Sequence, residues 1–193
     1  VLDPDNAQIA SWKKEIEDWE EKNRMDAQNK QVQLEINKHA WEVYGEAMGL
    51  KKHGKYHSAI EVFGKVGDIG ASDKKIVGMA AKQIKACYGA IRAARDPLLT
   101  EANTLEKSGE LVKAFALYKK ATRVDPPHPA GYAGMSRIRG VLHDRAKLIY
   151  TEAVLAESYS DFVTAKKKFS ECKEMAPVDD IYFERASRKL ARY

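Results

Sequence analysis

A pattern of small, apolar and turn-forming residues occurs three times in this chain and constrains its fold more than any other feature. Each copy has an apolar residue, an alanine four positions later, and then a turn residue, a second alanine and an aromatic residue at fixed distances. The three sets are Val43, Ala47, Gly54, Ala59 and Phe63; Leu98, Ala102, Gly109, Ala114 and Tyr118; and Ile149, Ala153, Ser160, Ala165 and Phe169. Small residues at matched positions on both sides of a turn predict two closely packed antiparallel helices, and three copies predict a repetitive structure.

Helical periodicity covers most of the chain, whereas no segment has the alternation and tight turns of a β-hairpin. The spacing predicts helices over 9–19, 32–50, 56–66, 76–94, 98–107, 111–124, 130–159, 162–175 and 180–191. Residues 20–31 are too polar for a core and form either an exposed continuation of the helix or a hinge. Pro97 predicts a break or kink near Asp96, and 130–159 is one long helix or two. We therefore predict an all-α fold.

The second copy closes with Arg123-Val124-Asp125-Pro126, and with this ending the pattern resembles the tetratricopeptide repeat (TPR). The copies lie 55 residues apart from Val43 to Leu98 and 51 from Leu98 to Ile149, against about 34 in tandem repeats of this family. The resemblance implies an antiparallel helix-hairpin α-solenoid, a TPR-like superhelix, in which a surplus of roughly 20 residues forms additional or lengthened helices. Two departures are the missing proline of the first copy and Ser160 at a glycine position. A plain helical bundle is the alternative fold.

The repeat sets the expected domain organisation, which is a single TPR-like helical repeat domain over residues 1–193. Its parts are an N-terminal amphipathic helix and polar segment (1–35), three repeat copies (36–71, 95–128 and 146–179) and a C-terminal helix (180–193). The opening residues Val1-Leu2-Asp3-Pro4-Asp5-Asn6 resemble the end of a further copy, which favours a piece of a longer protein.

The N-terminal helix carries one apolar stripe, formed by Ile9, Trp12, Ile16 and Trp19. An isolated amphipathic helix of this length is marginal in water, so we expect the two tryptophans to pack against the same chain or another chain. Residues 1–35 have a net charge of −4 and the remainder a net charge of +9. This asymmetry leaves self-association through residues 1–35 as one hypothesis and an ordinary solvated surface as the other.

Catalytic motifs are absent from the sequence. It contains no Gly-rich phosphate loop and no His-Glu-x-x-His pair, and two cysteines, Cys87 and Cys172, are too few for a metal quartet or a disulfide framework. We therefore predict a protein that is not an enzyme and needs no cofactor. The absence of a leader and of a long apolar run favours a cytoplasmic location without a membrane span.

A binding surface is the remaining function class, and the expected partner is another protein or a peptide. Solenoids present a concave face lined by the first helix of each pair, so the residues of those helices that face away from the core are the candidate contacts. They are Trp41, Tyr44, Met48 and Lys52 in the first copy, Leu99, Asn103 and Glu106 in the second, and Lys147, Tyr150, Val154 and Glu157 in the third. Additional helices packed over these residues would instead leave no groove.

Nucleic acid is the runner-up partner. The isoelectric point is about 9.0, and Lys166–Lys168 with Arg185 and Arg188 form a basic region near the C-terminus. Acidic residues are interspersed through the earlier helices, and no basic and aromatic stacking platform is recognisable, so nucleic-acid binding is unlikely from the sequence. An adaptor or scaffold within a larger assembly is the preferred hypothesis, followed by an RNA-binding repeat domain or an oligomerisation module.

Overall fold

The computed structural model describes residues 7–193, which form seven α-helices and no strand. The helices are α1 (Ala7–Lys52), α2 (Tyr56–Asp68), α3 (Lys74–Lys107), α4 (Leu111–Val124), α5 (Pro129–Ser158), α6 (Phe162–Met175) and α7 (Ile181–Leu190). The predicted all-α class is confirmed, and the predicted bounds of α4 and α6 match the observed ones.

The turns of the three hairpins share one backbone motif. The turn residue has a positive φ in each case, at 73° for Gly54, 82° for Gly109 and 59° for Ser160. Its N–H donates to the carbonyl three residues earlier, and the next N–H donates to the carbonyl five residues earlier, at 2.9–3.2 Å. This is the Schellman motif, which satisfies the last carbonyls of a helix and favours glycine. Ser160, which departs from the glycine pattern in the sequence, therefore takes the same left-handed conformation.

Close helix packing occurs where the repeat predicts it. All six alanines of the pattern are fully buried, and so are the aromatic residues of the second helices: Ala47, Ala59, Ala102, Ala114, Ala153, Ala165, Phe63, Tyr118 and Phe169. An alanine on each helix lets the two backbones approach, and the aromatic ring one turn later fills the space beyond the crossing.

The surplus residues of the repeat lengthen the first helix of each hairpin. The first helices α1, α3 and α5 have 46, 34 and 30 residues, whereas the second helices have 13 or 14. The break that we considered at Pro97 does not occur, because α3 continues through it. Buried residues lie on both sides of the proline, at Ile91 and Ala102.

The chain divides into two compact units at Ala90. In the N-terminal unit, the core joins α1 and α2 to the first part of α3 through Ile76, Ala80 and Cys87. The C-terminal unit has two core clusters, one joining the end of α3, α4 and the start of α5, the other joining the end of α5, α6 and α7. Each hairpin is thus completed by the first turns of the following helix.

The start of α1 has no such packing. Every described residue from 10 to 32 is exposed, including Trp12 and Trp19. Of the two alternatives for the tryptophans, packing against their own chain does not occur within the N-terminal unit, and burial against another chain stays a prediction.

Candidate functional site

The predicted contact residues of the first copy lie on the last turns of α1. Trp41, Met48 and Lys52 are exposed, whereas Tyr44 is buried. The Tyr44 ring lies 5.4 Å from the Phe63 ring and meets Trp41 edge-on at 5.8 Å between centroids. Tyr44 is thus a core residue that supports Trp41, and only the other three side chains are open to a partner.

The predicted contacts of the second copy are already engaged within the C-terminal unit. Leu99 packs on the core cluster of α4. The Tyr118 hydroxyl lies 2.6 Å from both Asn103 Oδ1 and Glu106 Oε2. Arg137 donates two hydrogen bonds to the Glu106 carboxylate, at 2.8 and 3.1 Å, and its guanidinium lies over the Tyr118 ring. Asn103 and Glu106 therefore come together as parts of a polar cluster that joins α3, α4 and α5.

Protonation follows from this geometry. The Arg137 hydrogen bonds lower the pKa of Glu106, although its partial burial opposes the shift. Burial and the neighbouring Glu106 carboxylate raise the pKa of Tyr118 to about 12. At neutral pH the cluster therefore contains a carboxylate, a guanidinium and a neutral phenol, all of them paired.

The predicted contacts of the third copy lie on α5, and half of them are open. Lys147 and Val154 are exposed. The Tyr150 ring lies between the rings of Phe169 and Tyr182, at 5.4 and 5.6 Å. Glu157 accepts a hydrogen bond from Lys189 and another from Tyr193, and the Lys189 bond lowers the pKa of Glu157. The aromatic and acidic members of this set therefore hold α7 in place.

A cleft in the C-terminal unit was not anticipated from the sequence. Its volume is about 240 Å³, and it lies between α4 and the segment that joins α6 to α7. We call it the α4 cleft and define it by Val112, Phe115, Met175, Val178 and Phe183. Buried Leu142 of α5 lines it as well.

Two lysines give the α4 cleft a positive rim. Lys119 and Lys173 both line it, and the Lys173 ammonium lies 5.6 Å from the centre of the Phe183 ring. The one acidic side chain of the lining is Glu174. Cations beside an apolar depression favour a ligand that combines an apolar group with a negative charge.

The sequence held one signal for this cleft. Val112, Phe115, Ala116 and Lys119 follow i, i+3, i+4 and i+7, which places them on one face of α4. That face adjoins the buried face formed by Leu111, Ala114, Phe115, Tyr118 and Ala121, and the two share Phe115. A helix with two apolar faces has more to contact than its own hairpin partner.

Metal binding, reactive thiols and membrane crossing have little support in the described residues. No three His, Cys, Asp or Glu side chains among them are grouped so that they could hold a metal ion. Burial raises the pKa of Cys172 to about 11 and also raises the pKa of Cys87, so both thiols remain protonated at neutral pH. None of the described helices has the length and apolar character needed to cross a membrane.

Comparisons with known proteins give no further assignment. No protein-family model matches the sequence, and neither curated proteins nor solved structures include a significant match.

Proposed function

We propose that the chain is a divergent TPR-like α-solenoid that serves as a non-catalytic protein-interaction module. Three hairpins with the same turn motif and the same buried alanines support the repeat. The lengthened first helices account for spacings above those of tandem TPR arrays. A cytoplasmic adaptor within a larger assembly is the role that suits such a module, by analogy with the fold.

The observation that carries the proposal is the α4 cleft. Val112 and Val178 stay exposed beside the buried Phe115 and the partly buried Phe183, so an apolar depression faces solvent. Its volume of about 240 Å³ is below the roughly 300–1,000 Å³ of pockets that enclose a whole small ligand. It is therefore suited to one or two apolar side chains of a peptide or helix, with acidic neighbours reaching Lys119 and Lys173.

A matched pair of valines tests where the partner binds. Val112 of the α4 cleft and Val154 of the predicted first-helix face are 40% and 39% exposed, so Val112→Asp and Val154→Asp make the same change at equal exposure. A displayed library of random twelve-residue peptides is selected on the wild-type chain, and enriched peptides are then titrated against both variants. We expect acidic sequences with one or two large apolar residues, weakened at least tenfold by Val112→Asp and unchanged by Val154→Asp.

Other outcomes would either move the binding site or contradict the proposed function. Loss with Val154→Asp alone would move the site to the first-helix face, where Trp41 and Met48 of the first copy are also open. A library that yields no sequence able to bind would contradict the interaction module. Tight binding of a mixed-sequence single-stranded RNA, with a steep loss on added salt, would replace it with the nucleic-acid hypothesis.

A further inference from the structure

The first turns of α1 present an apolar stripe to solvent. Trp12, Ile16 and Trp19 are 56, 57 and 65% exposed, and we call these three residues the α1 stripe. Glu15 and Glu20 lie on either side of it by helical spacing. Two exposed tryptophans and an exposed isoleucine within two helical turns form a contiguous apolar patch. Such a patch on a helix surface indicates an interaction surface.

Three other helices, α3, α5 and α7, bury the corresponding surface of their first turns. Their first turns pack on the hairpin that precedes them in the chain, through Ile76 and Ala80 of α3, Gly131 and Gly134 of α5, and Tyr182 and Ala186 of α7. The fold therefore uses the first turns of a helix as a packing surface for a hairpin. In α1 this surface has no hairpin in the described chain.

A hairpin surface of matching chemistry lies open in the C-terminal unit. An apolar groove runs along α6 beside the end of α7, and we call it the α6–α7 groove. Its lining includes Phe162, Val163, Lys166, Lys167, Leu190 and Tyr193. The first four of these are exposed, and no carboxylate among the described residues pairs with either lysine within 4 Å.

The two surfaces are similar in length and complementary in charge. The α6 side of the groove runs from Phe162 to Ser170, about 12 Å at the helical rise, and the α1 stripe covers about 10 Å. The stripe has acidic flanks, whereas the groove has two unpaired lysines. We propose that the α1 stripe of one copy docks in the α6–α7 groove of a second copy, with Glu15 and Glu20 facing Lys166 and Lys167.

This contact joins two different surfaces, so it is heterologous. After one such contact, one copy keeps a free groove and the other keeps a free stripe, so association continues as an open chain or closes as a ring of two or more copies. The contact uses neither the α4 cleft nor Val112, so its test is separate from that of the proposed function.

Sedimentation tests the assembly. Three side chains in one groove form a smaller contact than a standard interface, so weak association is expected, and concentrations from about 1 to 500 µM are appropriate. Wild-type protein should form dimers or larger assemblies as concentration rises. A stripe variant, Trp12→Asp with Trp19→Asp, and a groove variant, Val163→Asp with Lys166→Glu and Lys167→Glu, should each associate at least tenfold more weakly.

Mixing the two variants gives the sharpest result. The stripe variant retains its groove and the groove variant retains its stripe, so the equimolar mixture should form a one-to-one dimer that does not grow further. A charge control, Lys74→Glu with Lys75→Glu at the exposed start of α3, introduces the same charge change as the two lysine substitutions and should assemble like wild type.

Three results would overturn the proposal. The first is a wild-type chain that stays monomeric over the whole range. The second is a groove variant that still dimerises by itself, because the α1 stripes would then pair with each other. The third is a mixture of the two variants that remains monomeric although wild type assembles, because the contact would then involve other surfaces.

Discussion

Gly134 lies where α5 crosses α4, and its replacement by alanine tests how these helices pack. A Cβ atom at this position would lie 2.5–2.6 Å from three carbon atoms of the Tyr118 ring. The ring cannot easily move away, because its hydroxyl is 2.6 Å from both Asn103 and Glu106 and the Arg137 guanidinium covers its face. Gly140, also in α5, has no atom within 4 Å of such a Cβ and is the matched control.

The two substitutions should change stability in opposite directions. Glycine to alanine inside an exposed helix stabilises by about 1 kcal/mol, which is the full expectation for Gly140→Ala. At Gly134 the same gain is opposed by overpacking of about 1–3 kcal/mol and by loosened hydrogen bonds of Tyr118, each about 1 kcal/mol. With one hydrogen bond weakened, we expect Gly134→Ala to lower the free energy of unfolding by about 1–3 kcal/mol, which leaves a gap of about 2–4 kcal/mol between the two variants.

Urea denaturation followed by circular dichroism measures this gap, provided that both variants retain the wild-type slope. A second background isolates the cause. With Tyr118→Leu the ring is gone, so Gly134→Ala should then cost clearly less than it does in the wild-type chain. Equal stabilisation by Gly134→Ala and Gly140→Ala would refute the packing of Tyr118 on α5.

Three further predictions concern other parts of the fold. Ser160→Gly should raise the thermal midpoint by a few degrees, since relief of roughly 1–2 kcal/mol of left-handed strain exceeds the added unfolded-chain entropy of about 0.4–1 kcal/mol. Tyr118→Phe should flatten the loss of stability between pH 10 and 12. The raised pKa of Tyr118, about 12 against an ordinary 10, makes the folded state hold this proton more tightly, so its stabilisation is present below pH 10 and lost above it. Ala165→Leu should overpack the crossing of α5 and α6 and destabilise by about 1–3 kcal/mol in a melting experiment.

Each of these has a contradicting result. Ser158→Gly, at the last residue of α5 and without a positive φ, is the control for Ser160→Gly and should destabilise, so a loss of stability at both positions would contradict the strain at Ser160. An unchanged alkaline slope in Tyr118→Phe would mean that the phenol titrates equally in the folded and unfolded chains. Wild-type stability of Ala165→Leu would mean that the alanine is not at a close crossing.

The helices with local signals at both ends could be predicted from the sequence. The turn residues Gly109 and Ser160 precede α4 and α6, and segments that contain Pro126 and Pro177 follow these helices. The helical periodicity and the turn-forming residues therefore indicate the same helix ends. In α3 the two signals conflict, because Pro97 predicts a helix end within a segment whose periodicity is helical. An interior proline costs roughly 3 kcal/mol, yet α3 continues through Pro97 with buried residues on both sides of it, and this burial is not visible in local sequence.

The candidate site was less predictable, because helical spacing gives a direction but not a neighbour. Tyr44 and Tyr150 lie at positions facing away from their own alanine crossing, yet each ring reaches a phenylalanine of the second helix. The α4 cleft combines Val112 of α4 with Val178 after α6, and residues so distant in sequence meet only through tertiary structure.

Methyl NMR with labelled methionine tests the proposed binding site most directly, since the five methionines lie in different environments. Met175 lines the α4 cleft, Met48 lies on the predicted first-helix face, and Met25 lies on the exposed part of α1. Met79 and Met135 pack on the cores of the two units. On titration with a peptide selected from the displayed library, we expect the Met175 signal to shift in a saturable way while those of Met48 and Met25 stay fixed. A saturable shift of Met48 or Met25 with Met175 unmoved would contradict binding in the α4 cleft.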